Sequence, residues 1–581
     1  MFFYKPKLQF IFYAFVSLII CFSGKTLSKN IYVSPNGNNT NSGFSISSSI
    51  QSINLAVKIA DSGDTIYLLP GTYKELINFE NKNGEPEKSI SLIGCLSEGN
   101  YPVIDGGAEK PLLDGMNDWL HIENSSWIRI SRIKFQNGWT NPVKVFNSSY
   151  ITFDSCFFTG GKRVINAGGE LTHHILIENC YWDQGGNYLW SIVKDSSGVD
   201  AWLSMHHKNM AYFNGSLIDF SGTGGSIVIR GNTVINAFNA LRWRGVRGFD
   251  SNIEIYGNKI SRVRDNDFEP EYYTYNLLIY HNLSHNIHRT LSIDNVEGGC
   301  IYYFGNIITA DSTEWTKTVC TSFGKIYGNE RQLDYPLYVF SNSFYGPEAA
   351  YKMDDGTAVN FKHYNNAYYF TGGQSFILNK WEPSDEFDYD ISNKPWPENI
   401  IKFHQEKHGL ISIIKYVDPE EGNLRLQKDS PGIDAGRVLK FPELGWTEKF
   451  AGGAPDIGAY ENGEKIDGPA FRFRIPPDGK INYKEKPRIV KYLIDGYKVI
   501  LFFSDKIEES SINIKDINLF SGKNKMIINS VSFPNEYEMR IETNLIITHG
   551  ELSLSFNTFP KGINGENVTY WASAIRIHSI Q

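Results

Sequence analysis

An all-β solenoid followed by a smaller β-sandwich is the architecture this sequence predicts, and three observations carry it. The first is a repeat. Short strands of the form apolar-any-apolar-any-any-X place X at Ile133, Cys156, Cys180, Asn232, Asn258, Asn282, Asn306, Asn342 and Asn366, with gaps of 23, 24, 52, 26, 24, 24, 36 and 24 residues. The second is composition: 52 Gly, 33 Tyr and 37 Phe favour short strands and tight turns over helices. The third is a change of style from Tyr483 onward, where alternating strands are parted by turn signals every 8 to 15 residues, the pattern of a β-sandwich over 483–581. At 581 residues and 41% hydrophobic the chain can bury a sizeable core.

Residues 1–28 carry Lys5 and Lys7, an apolar run from Leu8 to Cys21 and then small polar residues, the layout of a secretory signal peptide. The protein is therefore expected to be exported, to the extracellular space, cell surface or periplasm, with no membrane span once the signal is removed. Leu18, Ile19 and Ile20 before Cys21 are unlike the small residue that precedes a lipidated cysteine. Five cysteines remain, Cys95, Cys156, Cys180, Cys300 and Cys320, an odd number, so disulfides are not the main frame. Cys156 and Cys180 fall on the repeat and are expected as stacked buried thiols. A net charge of −8 without a basic tract gives no support to a nucleic-acid partner.

The solenoid is assigned to 29–482. Ile31 to Gly43 is a strand running into a Gly/Asn/Ser loop; Ser49 to Ala60 has apolar residues at helical spacing and would cap the apolar end of the first coil, with Leu55 and Ile59 in the core. The segments YVSPNGNNTNSG (Tyr32 to Gly43) and GDTIYLLPGTY (Gly63 to Tyr73) closely resemble the opening of secreted, pectate-lyase-like right-handed parallel β-helix proteins. SPGIDAG (430–436) and APDIGAYE (454–461) resemble their closing pattern, which makes Asp434 and Asp456 turn and capping residues. The resemblance implies a right-handed parallel β-helix of coils about 24 residues long. The gap of 52 is then read as two coils and that of 36 as one coil with a long loop. Asparagines at the turns would form ladders that satisfy backbone groups. The segment 483–581 resembles the bacterial Ig-like modules appended to exported enzymes, which implies packing, spacing or attachment. His404 and His408 lie at helical spacing around Glu406 with no further ligand near, and are read as a solvated face.

Chemistry concentrates between Leu241 and Asp294. Asp265, Asp267, Glu269 and Glu271 fall on every second residue, so a regular strand would put all four on one face and Phe268 on the other. If Leu241, Trp243, Leu291 and Ile293 point inward, Arg242, Arg244, Ser292 and Asp294 face outward on the neighbouring coils; this needs the acidic coil to slide by one residue. Paired carboxyl groups about 5 to 9.5 Å apart are what glycosidases use, and clustering like charges raises one pKa. The strip also resembles the DDxxExD-like strip of secreted β-helix proteins. Asp267, Glu269, Asp294 and His288 are the expected catalytic residues; Arg242, Arg244, Glu271, Asp265, Arg289 and Trp243 are expected to bind substrate. Competing uses are salt bridges with Arg242, Arg244 and Arg264, or a Ca²⁺ site, although no cofactor is required. His206, His207, Lys208, His281, His285, His288 and Arg289 offer a base for β-elimination on a uronic acid; any one of these histidines is more ordinarily a loop residue. Half or more of Trp139, Trp182, Trp190, Trp202 and Trp243 are expected in the core. The sequence thus points to a monomeric, exported protein acting on a polysaccharide or oligosaccharide. Glycoside hydrolysis is the first expectation; a polysaccharide lyase, or a non-catalytic glycan-binding adhesin, is the alternative.

Overall fold

The computed structural model describes residues 28–462 and 489–578, apart from short stretches within them such as 311–323, 373–384 and 562–574. Residues 1–27 of the expected export signal, Cys320 and Trp190 lie outside the described residues. Alternating burial of strands such as Ile90–Gly94 and Ser149–Asp154 sends every second side chain into a common core.

Three columns of parallel strands make the solenoid, so the fold class is the expected parallel β-helix. The first column runs from Asn30–Val33 through Thr65–Leu68, Ile90–Gly94, Ser126–Ser131, Ser149–Asp154, His173–Glu178 and Gly225–Arg230 to Ser251–Tyr256. The second includes Lys134–Gly138, Phe157–Gly160, Tyr181–Asp183 and Thr233–Ala237. The third runs from Ile77–Glu80 through Leu120–Glu123, Val143–Phe146, Arg163–Gly168 and Ser216–Ser221 to Leu241–Gly245. Two strands of 22 residues, Lys259–Tyr280 and Leu283–Phe304, each travel around a whole coil and serve all three columns.

The first coil is capped by helix α1 (Ile53–Ile59). Ser52 Oγ accepts from the Leu55 amide, and the Glu75 carboxylate accepts from the Ile53 amide at 2.6 Å. Ile53, Ala56 and Val57 are its buried stripe, with Leu55 and Ile59 packed partly buried beside them. Cys156 and Cys180 are buried free thiols on the stack.

The turn asparagines form a continuous ladder. The amides of Asn232, Asn258, Asn282, Asn306 and Asn342 donate to the Oδ1 of the next rung at 2.9 to 3.1 Å, and each Nδ2 donates to the same oxygen. Asp390 ends the ladder: its Oδ1 accepts from the Asn366 amide at 2.6 Å, while its Oδ2 bonds the His363 imidazole. Glu406, whose carboxyl is pushed well up by burial, accepts from the Asp390 amide at 3.2 Å. The ligand atoms of His363, Asp390 and Glu406 all lie within 4.8 Å of one another, but His363 is already bonded at both nitrogens, to Asp390 and to the Tyr368 hydroxyl.

One spacing is corrected. The 52-residue gap is a single coil, because His173–Glu178 pairs directly with Gly225–Arg230 and the Cys180 amide donates to Asn232 Oδ1 at 2.8 Å. The surplus chain leaves the solenoid and folds into helix α2 (Ala201–His207), capped by Asp200, and its packing partners Met210 and Phe213. The gap of 36 is one coil, as expected.

Beyond Leu410–Ile411, which pairs in parallel with Ile391–Ser392, the chain returns along the outside of the solenoid. Tyr416, Leu424, Ile457 and Tyr460 cover Ile307, Tyr345 and Ala367, and Asp434 and Asp456 bond turn amides. His404 is exposed, and His408 bonds Asp388 at the surface. In 489–578 two four-stranded antiparallel sheets share a core of Val499, Leu501 and Ile541 from one and Ile517, Leu519 and Leu554 from the other; the proposal of an Ig-like module rests on this. Among the described residues no helix is long and apolar enough to cross a membrane.

Removing one rung should be costly. Asn282→Ala strands the Asn258 amide and Nδ2 and the carbonyls of Ile255 and Tyr280 in the interior, and equilibrium urea unfolding should show a loss of about 3 kcal/mol.

Candidate functional site

Outward side chains of the third column form one charged surface. Leu241 and Trp243 point into the core, which leaves Arg242 and Arg244 outside. Arg242 pairs across from Asp219 on one side and Glu269 on the other; Arg244 lies across from Glu271, Glu271 from Asp294, and Ser292 from Lys325. The anticipated slide is present: Val263 pairs with Ala237, 26 residues back, whereas Phe268 pairs with Leu241, 27 back. The adjacency of Arg242, Arg244, Glu269, Glu271 and the Asp294 backbone across neighbouring coils follows from it. The Asp294 side chain lies outside the described residues.

The same slide overturns the expectation of four carboxylates on one face. The register shifts between Val263 and Asn266, at the corner where the chain passes from the second column to the third, and strict alternation does not hold across that corner. Asp267 is 0% exposed, and burial pushes its carboxyl well above the ordinary range, opposed by the Ser284 hydroxyl. It does not share the surface of Glu269. Arg289 and Trp243 are also corrected. Arg289 is buried and donates to the carbonyl of His288 at 2.8 Å. Trp243 is fully buried and donates to Thr274 Oγ1, so it serves the core, as Trp139 and Trp182 do.

Glu269 is the centre of what remains. Its Oε1 accepts from Asn266 Nδ2 at 2.9 Å, and its Oε2 lies 3.8 Å from Arg242 Nε. Burial pushes its carboxyl up to about 8; Asp265 and Glu271 act in the same direction, Arg242 and Lys325 against it. At neutral pH it is mainly protonated. Asp265 accepts from Trp202 Nε1 at 3.2 Å and lies 4.0 Å from His288 Nδ1. Arg244 Nε is 4.0 Å from Glu271.

Two features were not singled out from sequence. The first is Asp219, a buried carboxylate approached by three arginines: Arg163 Nε at 2.8 Å, Arg242 Nη2 at 3.1 Å and Arg244 Nη2 at 3.4 Å. Burial, then Arg242 and Arg244, lower Arg163 from its ordinary value. Asp219 sits at the position of Asn166 one coil earlier, and register alone could have found it. The second is helix α2, which brings Trp202 and His206 over Asp265. Burial lowers the pKa of His206, the charges of His207, Lys325 and Arg242 act with burial, and Asp265 opposes them. Its Nδ1 is buried without a hydrogen bond. His206 is therefore mainly neutral at pH 7, where Glu269 holds a proton.

No protein-family model matches the chain. It is 30% identical over 177 residues to pectate lyase PEL9 of Emericella nidulans, a stretch covering 28% of this chain and 40% of that protein, so it spans less than half of that relative's length. Among solved structures, pectate lyase Pel9A matches with a TM-score of 0.34 at 14% identity, covering 75% of this chain and 97% of the other. The PL6 family alginate lyase AlyGC matches with a TM-score of 0.39 at 12% identity, covering 64% and 54%.

The acidic strip as placed is matched to cations and donors: Asp265 to Trp202 and His288, Glu269 to Asn266 and Arg242, Glu271 to Arg244. A Ca²⁺ ion here would compete with Arg244 for Glu271.

The raised Glu269 carboxyl ties stability to pH. Folding lifts it from its ordinary value of 4.5 to about 8, so the folded state binds the extra proton between these limits. Stability contributed by the neutral acid is present below about 4.5 and is lost as pH rises through about 8. Thermal melts from pH 5 to 9 should show the wild type losing stability relative to Glu269→Gln across that window.

Proposed function

We propose that this protein is an exported polysaccharide lyase that cleaves a uronate-containing polymer by β-elimination at the surface around Glu269. The observation that carries the reading is a neutral His206 and a protonated Glu269 on one cation-rich surface; the 177-residue similarity to a pectate lyase supports it. In this mechanism Arg244, the most open of the three arginines around Asp219, meets the uronate carboxylate and makes the C5 proton more acidic. The His206 imidazole takes that proton, the electron pair forms the C4=C5 double bond, and the C4–O bond breaks. Glu269 gives its proton to the departing oxygen. Both groups are then reset by exchange with water. Asp219 is a positioning residue, fixing Arg163, Arg242 and Arg244 by one buried charge. His288 orients Asp265, whose charge keeps the Glu269 proton in place.

A second reading, glycoside hydrolysis, is favoured by one observation: Asp265 and Glu269 are neighbouring carboxyl groups, and Asp265 helps to raise Glu269. Asp267 takes no part in it, being enclosed in the solenoid.

A panel of acidic and neutral polysaccharides separates the readings. The lyase gives a product with the ultraviolet absorbance of a conjugated double bond, the hydrolase a new reducing end without it, and a glycan-binding adhesin neither. The lyase rate should be bell-shaped in pH, rising through a value below 6.5 as His206 loses its proton and falling near about 8 as Glu269 does. Glu269→Gln and His206→Ala should each cut kcat by about 10²- to 10⁴-fold with little change in the melt at pH 6. Activity that survives EDTA assigns carboxylate neutralisation to the arginines; loss restored by Ca²⁺ assigns it to an ion competing for Glu271.

A further inference from the structure

A second concave feature lies on another sheet. On the outer face of the first column Tyr256, Tyr280, Phe304 and Phe340 stack in successive coils with ring centroids 4.8 to 4.9 Å apart, and Tyr364 follows Phe340 in register. The returning chain lays Lys440–Phe441 against this row, with the Phe441 ring 4.9 Å from both Tyr338 and Phe340. A pocket of about 350 Å³ opens between them, lined by Tyr338, Tyr364, Arg437, Val438, Lys440 and Phe441. This is at the small end of ligand pockets, which run from about 300 to 1,000 Å³.

The chemistry of the lining selects a ligand. Tyr338 and Val438 offer partly exposed apolar surface suited to the carbon face of a sugar ring. The Arg437 guanidinium lies 5.0 Å over the Tyr364 ring, with Nη1 3.1 Å from Glu386 Oε1. Lys440 is exposed at the rim, and Lys362 Nζ lies 3.8 Å from the other oxygen of Glu386. Asp388, the other acid acting on Arg437, is bonded to His408. The lining carries two cations, Arg437 and Lys440, and no carboxylate, Glu386 and Asp388 standing outside it, which favours an anion.

We propose that this pocket is a second saccharide-binding site, on a different sheet from the reaction surface, that holds one acidic sugar unit of the polymer. The preference for an anion rests on the pocket; the sugar class rests on the function proposed above. Holding the polymer at a second point raises its effective concentration at the first.

The test is affinity electrophoresis of the full chain, carrying Glu269→Gln to prevent degradation, through gels containing polygalacturonate, alginate or a neutral galactan. The expected result is retardation by an acidic polymer and little by the neutral one, with apparent affinity falling at least tenfold in Tyr338→Ala and in Lys440→Glu. Lys440→Glu changes an exposed side chain and leaves the packed wall intact, so an unaltered melt with lost retardation supports the site. In an otherwise wild-type background the same variants should keep the wild-type rate on short soluble oligosaccharides. Wild-type retardation in both variants, equal retardation by the neutral polymer, or no retardation by either acidic polymer overturns the proposal. Retardation lost in the variants without any ultraviolet-absorbing product from the active chain would sink the lyase reading and leave this site standing; product with variant-independent retardation would do the reverse.

Discussion

Register between coils is the constraint on which everything else in this protein depends, and the asparagine ladder enforces it. Each rung places an amide acceptor in the dry interior, where the preceding coil supplies its donors. A slip of one residue would break every rung at once and would turn each strand's buried face outward. Because the ladder holds one edge of each coil in place, side chains far apart in sequence line up on the outside. Asp219, Arg242 and Glu269 become neighbours in this way, as do Arg244 and Glu271.

One of the places where register shifts is also where chemistry gathers. Between Val263 and Asn266 the chain takes an extra step as it turns from the second column to the third; Asp267, at that corner, is enclosed, and Glu269, on the strand beyond it, lies across from Arg242. Glu269 then has four charged neighbours, two acidic and two basic, pulling in opposite senses within a desolvated setting, and burial decides the outcome by favouring the neutral acid. Asp219 is the opposite case. Three guanidinium groups surround it, and one buried charge orients them all. The arrangement is rigid because it is built on strands, and selective because water is largely kept out.

Much of this was legible in residues alone. The repeat from Ile133 to Asn366, the capping helix beginning after Ser52 and the turn roles of Asp434 and Asp456 follow from local pattern and the demand that buried backbone be bonded. The outward placement of Arg242, Arg244, Glu269 and Glu271 followed from the same period of two. Asp267 and Arg289 did not, because strict alternation fails at a bulge or corner, and a bulge has no reliable signature in a single sequence; the same period of two already turned Trp243 inward, against the substrate-binding role expected of it. The 52-residue gap misled for a different reason. Two coils and one coil with an excursion have the same length, and only the pairing of His173–Glu178 with Gly225–Arg230 tells them apart.

Sequence by itself therefore determined the stack, its period, its caps and the stretch where charged residues concentrate, because these depend on interactions repeated at fixed spacing. Tertiary structure alone decided which carboxyl groups meet solvent, that Asp219 gathers three arginines, and that helix α2 carries Trp202 and His206 across to Asp265. Those outcomes turn on a single inserted residue and on one long excursion. Their effect on desolvation and charge exists only once distant coils are brought together.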